Sequence, residues 1–225
     1  MNIIRRNDPI AITLLVFLNL VTFLLQFTLI PTEYWAMTPL RLMQSIHTLK
    51  HVGHEIATLF THQFLHAGST HLLINMISLV FFGSLVEREL GVRRFLTCYL
   101  ASGVAGALGI WAFSADQTVQ LIGASGGIAG VIGAFLILII RRRAPLTILA
   151  ALGGLFVLAW WLPDQLVGSM QMAQGTTDSH NGYLAHLFGF TAGVVLMWRY
   201  CSRSAASSMP IVDCEHFDPN QQKGR

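Results

Sequence analysis

The chain has 225 residues, of which 53% are hydrophobic and only 11% charged, with a formal net charge of +3. Soluble domains carry about a quarter charged residues, so this chain lacks the solvated groups to cover a globular surface. A mean hydropathy of +0.58 makes the bilayer its natural solvent. The basic residues fall in short clusters between apolar runs, the pattern of loops flanking membrane helices, so no nucleic-acid partner is expected. Cys98, Cys201 and Cys214 have no paired spacing and read as free thiols.

Six segments free of Asp, Glu, Lys and Arg are long enough to cross, or nearly cross, a hydrocarbon core of about 30 Å. They are residues 9–30, 70–86, 95–115, 121–140, 144–163 and 180–198. The first is too long, and too poor in small residues at its end, for a cleaved signal peptide, and counts as a span. Backbone groups in lipid must bond internally, so the segments are helices or barrel strands. Runs such as LLVFLNLVTFLL and AFLILII lack the alternation of barrel strands, so the fold class is an all-α, six-helix polytopic bundle.

Orientation follows from Lys and Arg. With the N-terminus inside, twelve of the 14 lie on inner segments and only Arg41 and Lys50 on outer loops, so both termini are expected in the cytoplasm. The Arg141–Arg143 run is a topology determinant and a contact for anionic lipid. The organisation expected is one membrane domain, residues 1–201, and a polar cytoplasmic tail, residues 202–225, of disordered composition. Two outer loops stand out, Pro31–Ser69 and Asp164–Ser179. Tyr34, Trp35 and Phe60 in the first suit an aromatic belt.

Polar side chains within spans are costly and are therefore functional candidates. His66 lies just before the second segment, which holds His71 and Asn75; these two are four apart and share a helix face. The fourth opens with Gly123-Ala-Ser125-Gly126-Gly127 and continues to Gly130, and the sixth holds His186, Gly189 and Gly193. Segments two, four and six all run from outside to inside, which puts His71, Asn75, Ser125 and His186 at comparable depth. A serine needs a base to become a nucleophile, and imidazole is the usual one. A developing oxyanion needs donors, which Asn, His and the serine's own N–H supply. The glycines allow close approach of segments four and six. No carboxylate lies within a span, so a full triad would need Asp116, Asp164 or Asp178 from a loop, and a Ser–His dyad is the reading adopted.

These motifs resemble the rhomboid family of intramembrane serine proteases. The likeness covers about residues 55–195 and rests on His66-x4-His71-x3-Asn75, Gly123-x-Ser125-Gly126, and Ala185-His186-x2-Gly189-x3-Gly193, with Val86-Glu87-Arg88 as a weaker match. The resemblance implies a serine endopeptidase with Ser125 as nucleophile, His186 as base, and His71 and Asn75 stabilising the oxyanion. It implies no cofactor and no metal. The loop before the sixth helix would help gate entry, and the substrates would be single-pass or other membrane proteins, cut near the outer boundary. Two positions depart from the family pattern: Ala129 replaces an aromatic residue four after the nucleophile, and Ala57-Thr58 replace a Trp-Arg pair. A bacterial cytoplasmic membrane, with the site opening outward, suits the compact form; oligomeric state is unassigned.

Each residue also has a plainer reading. Ser125 in a Gly-rich span can serve packing, His71 and Asn75 can be interhelical glue, and His66 reads as a loop-ordering residue. His47, His51 and His54 with Glu55 suit a wet loop face better than a metal site. A zinc protease would need His-Glu-x-x-His, but His54-Glu55 is followed by Thr58, and an aspartyl protease would need two intramembrane Asp residues. Two other classes stay open: a non-catalytic rhomboid-like binder of transmembrane helices, and a small transporter, for which no inverted repeat is visible.

Overall fold

A computed structural model of the chain describes residues 9–141, 147–173 and 182–207, the side chains of 172–173 and 203–207 excepted. Arg5, Arg6, Arg142, Arg143, Asp178, most of the loop before the last helix, and the tail from residue 208 on, with Cys214, lie outside the described residues, whereas residues 202–207 continue the last helix. The described secondary structure is helical apart from one isolated antiparallel bridge, Met37–Leu121.

The helices are α1 (Ile10–Leu25), α2 (Thr32–Trp35), α3 (Pro39–Thr48), α4 (Val52–Thr61), α5 (Ser69–Leu90), α6 (Val92–Phe113), α7 (Ser125–Ile140), α8 (Ile148–Phe156), α9 (Leu162–Ala173) and α10 (Gly182–Ser207). Four stretches are long and apolar enough to cross a membrane: Ser69–Leu90, Val92–Phe113, Ile148–Gln171 and Gly182–Ser202. Ile10–Leu25 and Ser125–Ile140 are shorter apolar helices. The protein is therefore an integral, multi-pass membrane protein.

Helix α7 lies at the centre. Every residue from Gly126 to Leu138 is buried, as expected of a helix that is apolar all round. The flanking helices turn their large aliphatic residues outward: Leu73, Ile74 and Ile77 of α5 and Leu149, Leu152 and Leu155 of α8 are exposed. In a bilayer those faces meet lipid.

Helices α5, α7 and α10 run in the same direction. Asn75 meets Gly123 and Phe82 meets Phe135, so α5 and α7 advance together. Likewise Gly189 meets Gly126 and Gly193 meets Gly130, so α7 and α10 advance together. This shared sense lets residues near the starts of three helices converge.

The fifth apolar stretch continues beyond Pro163, where the charge-free segment ends. A proline removes one helix N–H and clashes with the preceding turn. Here a π-helical turn, Val157–Trp161, joins α8 to α9 just before Pro163, and the Leu162 N–H bonds to Val157 O. The wider turn re-satisfies the backbone, so the helix reaches Ala173 and carries Asp164 and Gln165 on it.

The stretch from Pro31 to Ser69 is largely helical. Met37, Leu42 and Leu59 form a small core against Ala107 of α6. The Arg41 guanidinium donates to Glu33 O at 2.6 Å and to Ala36 O, and approaches Glu55 Oε2 at 3.5 Å. Tyr34 packs against both Trp35 and His54, at ring separations of 5.1 and 4.1 Å. On the opposite side, the buried Glu87 carboxylate accepts the Ala11 and Ile12 N–H groups at 2.7 and 3.0 Å. It thereby caps the orphan donors at the start of α1 with favourable charge.

Candidate active site

Ser125 is the first residue of α7 and is half-buried. The N–H groups of a first helical turn have no intrahelical acceptor, and the helix dipole adds partial positive charge there. The approach to Ser125 is tightly fixed. Leu121 exchanges both backbone hydrogen bonds with Met37, at 2.8 and 3.2 Å, and Gly123 donates its N–H to His62 O at 2.9 Å. Gly123 has φ of +124°, a region that disfavours any side chain. A Cβ there would also lie 2.8 Å from His71 Cε1 and 3.0 Å from its Nε2.

His71 and Asn75 thus both face the Gly123 backbone, two residues before Ser125, as their shared face on α5 requires. Asn75 is 5% exposed, and its Nδ2 lies 3.7 Å from the Gly123 Cβ position. That Nδ2 has no hydrogen-bond partner among the described residues. A buried unpaired amide donor costs about 1–3 kcal/mol, which an incoming acceptor beside Gly123 would recover.

His186 sits in the first turns of α10 and is half-buried. Its approach to α7 is set by glycines. A Cβ on Gly189 would overlap Gly126 O, and one on Gly193 would overlap Gly130 O. Gly130 is itself crowded by Ser102 of α6. Gly126 contributes through its carbonyl: a Cβ of its own would lie 3.6 Å from Gly103 Cα, an ordinary contact. The requirement for glycine therefore falls on Gly189 and Gly193 more than on Gly126. No hydrogen bond joins Ser125 Oγ and His186 among the described residues; catalytic hydrogen bonds are often long before substrate binds.

Two neighbours of His186 come from the fifth helix and escaped sequence reasoning. Its Nδ1 bonds to Gln165 Oε1 at 2.7 Å, and Gln165 Nε2 donates to Asp164 Oδ2 at 3.0 Å. Gln165 is 5% exposed. The Trp161 ring lies 6.3 Å from the imidazole, tilted by 35°, and 5.6 Å from Phe190. The one available signal was a Trp and a Gln at i and i+4, and it was hidden because Pro163-Asp164 read as a helix end.

No hydrogen bond joins the His66 ring to Ser125 among the described residues. His66 packs edge-on against His71 at 5.2 Å, and Gln26 at the end of α1 clamps its backbone by two bonds of 3.0 and 3.1 Å. Burial, helped by the nearby His71, pushes the His66 imidazole down to about 4. Burial likewise pushes His62, whose Nδ1 bonds to Thr58 O, down to about 4. Both stay neutral near pH 7.

The arrangement combines a hydroxyl at a helix N-terminus, an unpaired amide donor and an imidazole held at one nitrogen. The Rhomboid domain model matches residues 53–203. The chain is 33% identical to YdcA of Bacillus subtilis (strain 168) over 138 residues, 61% of this chain and 64% of YdcA. It is 40% identical to the rhomboid protease GluP of the same organism over 79 residues, 35% of this chain and 15% of GluP. A third similar protein, 34% identical over 102 residues covering 41% of this chain and 28% of the relative, is named inactive RHOMBOID-like protein 8, from Arabidopsis thaliana. The matches span less than two thirds of the length of each of these relatives. With a family match over most of its length, this chain belongs to the rhomboid family.

Proposed function

We propose that the protein is an intramembrane serine endopeptidase that cleaves single-pass or other membrane proteins with a Ser125–His186 dyad. In this reading six helices span a bacterial cytoplasmic membrane, both termini are cytoplasmic, and the site opens to the outer side. His186 Nε2 takes the Ser125 proton while Oγ attacks the scissile carbonyl carbon. The oxyanion is held by Asn75 Nδ2, the His71 ring and the Ser125 N–H. The imidazolium returns its proton to the leaving amine, and water, activated by the same imidazole, hydrolyses the acyl-enzyme. No cofactor takes part.

The observation that supports this reading most strongly is the buried Asn75 Nδ2, which has no acceptor among the described residues and is aimed at the backbone two residues before Ser125. A packing role for Asn75 gives no reason to leave that donor unpaired. A second reading, a non-catalytic binder of transmembrane helices, is favoured by the relative named inactive; against it, Ser125 and His186 both stand in this chain.

The test is cleavage of a tagged single-span substrate in liposomes by wild type, Ser125→Ala and His186→Ala, with fluorophosphonate labelling in parallel. The protease reading requires that wild type cut and label and that both variants do neither. A folded wild type that captures the substrate helix, yet neither cuts nor labels, establishes the binder instead.

A further inference from the structure

The imidazole of a Ser–His dyad can carry its single proton on either nitrogen, and only the form protonated at Nδ1 leaves Nε2 free to act as base. In a triad a carboxylate makes that choice. Here the partner of Nδ1 is the neutral Gln165, which offers either an acceptor or a donor depending on which way its amide faces. The neighbouring group decides. Asp164 Oδ2 can only accept a hydrogen bond when ionised, so the Gln165 Nε2 bonded to it at 3.0 Å fixes the amide orientation. Oε1 is then left facing His186 Nδ1 at 2.7 Å, and an acceptor at that distance requires a proton on Nδ1. Burial of Gln165, and the Trp161 ring one turn earlier on the same face, limit the alternatives open to the amide.

We propose that Gln165 is a positioning residue that, oriented by Asp164, fixes His186 as its Nδ1–H form and presents Nε2 as the base. The chain thus replaces a direct carboxylate with a carboxylate–amide–imidazole relay in which only hydrogen-bond direction, and no charge, is passed on. This rests on the dyad proposed above.

The experiment measures the pH dependence of fluorophosphonate labelling at Ser125, which needs the base but no substrate-sized access, beside kcat and KM for a single-span substrate. Gln165→Met removes the acceptor at similar volume; Gln165→Glu keeps an acceptor and adds charge. Gln165→Met should lower the labelling rate and kcat about tenfold with KM unchanged. Gln165→Glu should restore the rate, and its acidic limb should move to higher pH because a carboxylate favours the protonated ring. Asp164→Ala, which frees the amide to turn, should lose a smaller factor of about three. In the wild type, ¹⁵N spectra of labelled histidine should show a protonated Nδ1 and an unprotonated Nε2 for His186, a result independent of whether any variant folds.

The proposal is overturned if Gln165→Met labels like wild type, if Gln165→Glu is as impaired as Gln165→Met with the same acidic limb, or if wild-type Nδ1 is unprotonated. A wild type that fails to label at all, with its Nδ1 protonated, instead removes the dyad reading and leaves the hydrogen-bond assignment standing.

Discussion

Replacing Gly193 with alanine tests whether glycine contacts two turns away set the position of His186. A Cβ on Gly193 would overlap Gly130 O and lie 2.6 Å from Gly130 Cα. Carbon atoms pack at about 3.5–4.0 Å, so α10 must withdraw from α7 by roughly 1 Å. Backbone atoms line the contact, so no flexible side chain can absorb the strain. Overpacking of this kind costs about 1–3 kcal/mol, or roughly 2–4 °C in Tm for each kcal/mol at this chain length. His186 lies seven residues before Gly193 on the same face, and a displacement of about 1 Å at a reacting group can cost about 100-fold in rate. The assay is thermal melting in detergent together with fluorophosphonate labelling. Gly182→Ala is the control, because no described residue lies within 4 Å of its Cβ position. If Gly193→Ala melts and labels like Gly182→Ala, the crossing does not hold His186 and the packing argument fails.

Acid should unfold the protein through its buried loop histidines. Both His62 and His66 are pushed by burial from 6.5 to about 4, so below pH 6.5 the unfolded chain binds protons that the folded chain does not. Stability is present above that pH and lost as pH falls to about 4, by about 3 kcal/mol for each group; melting of His66→Gln against wild type at pH 7 and pH 4.5 should show a smaller acid loss in the variant. Asn75→Ala should lower kcat about 100- to 1,000-fold with KM little changed, while Tm holds or rises because an unpaired buried donor is removed; a fall in Tm with kcat intact would make Asn75 a packing residue. Glu87→Ala should strand the Ala11 and Ile12 N–H groups and cost about 1–3 kcal/mol, seen as a lower Tm and faster proteolysis at the start of α1, whereas Glu87→Gln should lose less.

What could be read from the sequence was whatever is local in the chain. The His71–Asn75 pair is four residues apart and shares a face wherever α5 lies. The apolar periodless run after Ser125 forces a buried central helix. What could not be read depends on contacts made across the fold or on a local exception. Charge composition marked Pro31–Ser69 as a loop, yet Arg41 gathers Glu33, Ala36 and Glu55 within it, and the Met37–Leu121 bridge ties it to a partner distant in sequence. Pro163 followed by Asp164 resembles a helix stop, and only the π-helical turn ahead of it explains why the helix runs on.

That exception bears directly on the departure at Ala129. The family pattern would support the catalytic imidazole from α7, one turn after the nucleophile, but Ala129 is a small side chain buried to 1% exposure. An aromatic there would have to find room in a helix whose faces are already closed on α6 and α10. In this chain the ring lies instead at Trp161 and the hydrogen-bond partner at Gln165, four residues apart on the fifth helix. The π-helical turn ends at Trp161, and the helix continues through Gln165 despite Pro163. If it stopped at the proline, Gln165 would hang on a loop without a fixed aim at Nδ1. The support of His186 and the irregular backbone of the fifth helix are thus one feature, and substitutions that straighten the turn should act on the imidazole before they act on substrate binding.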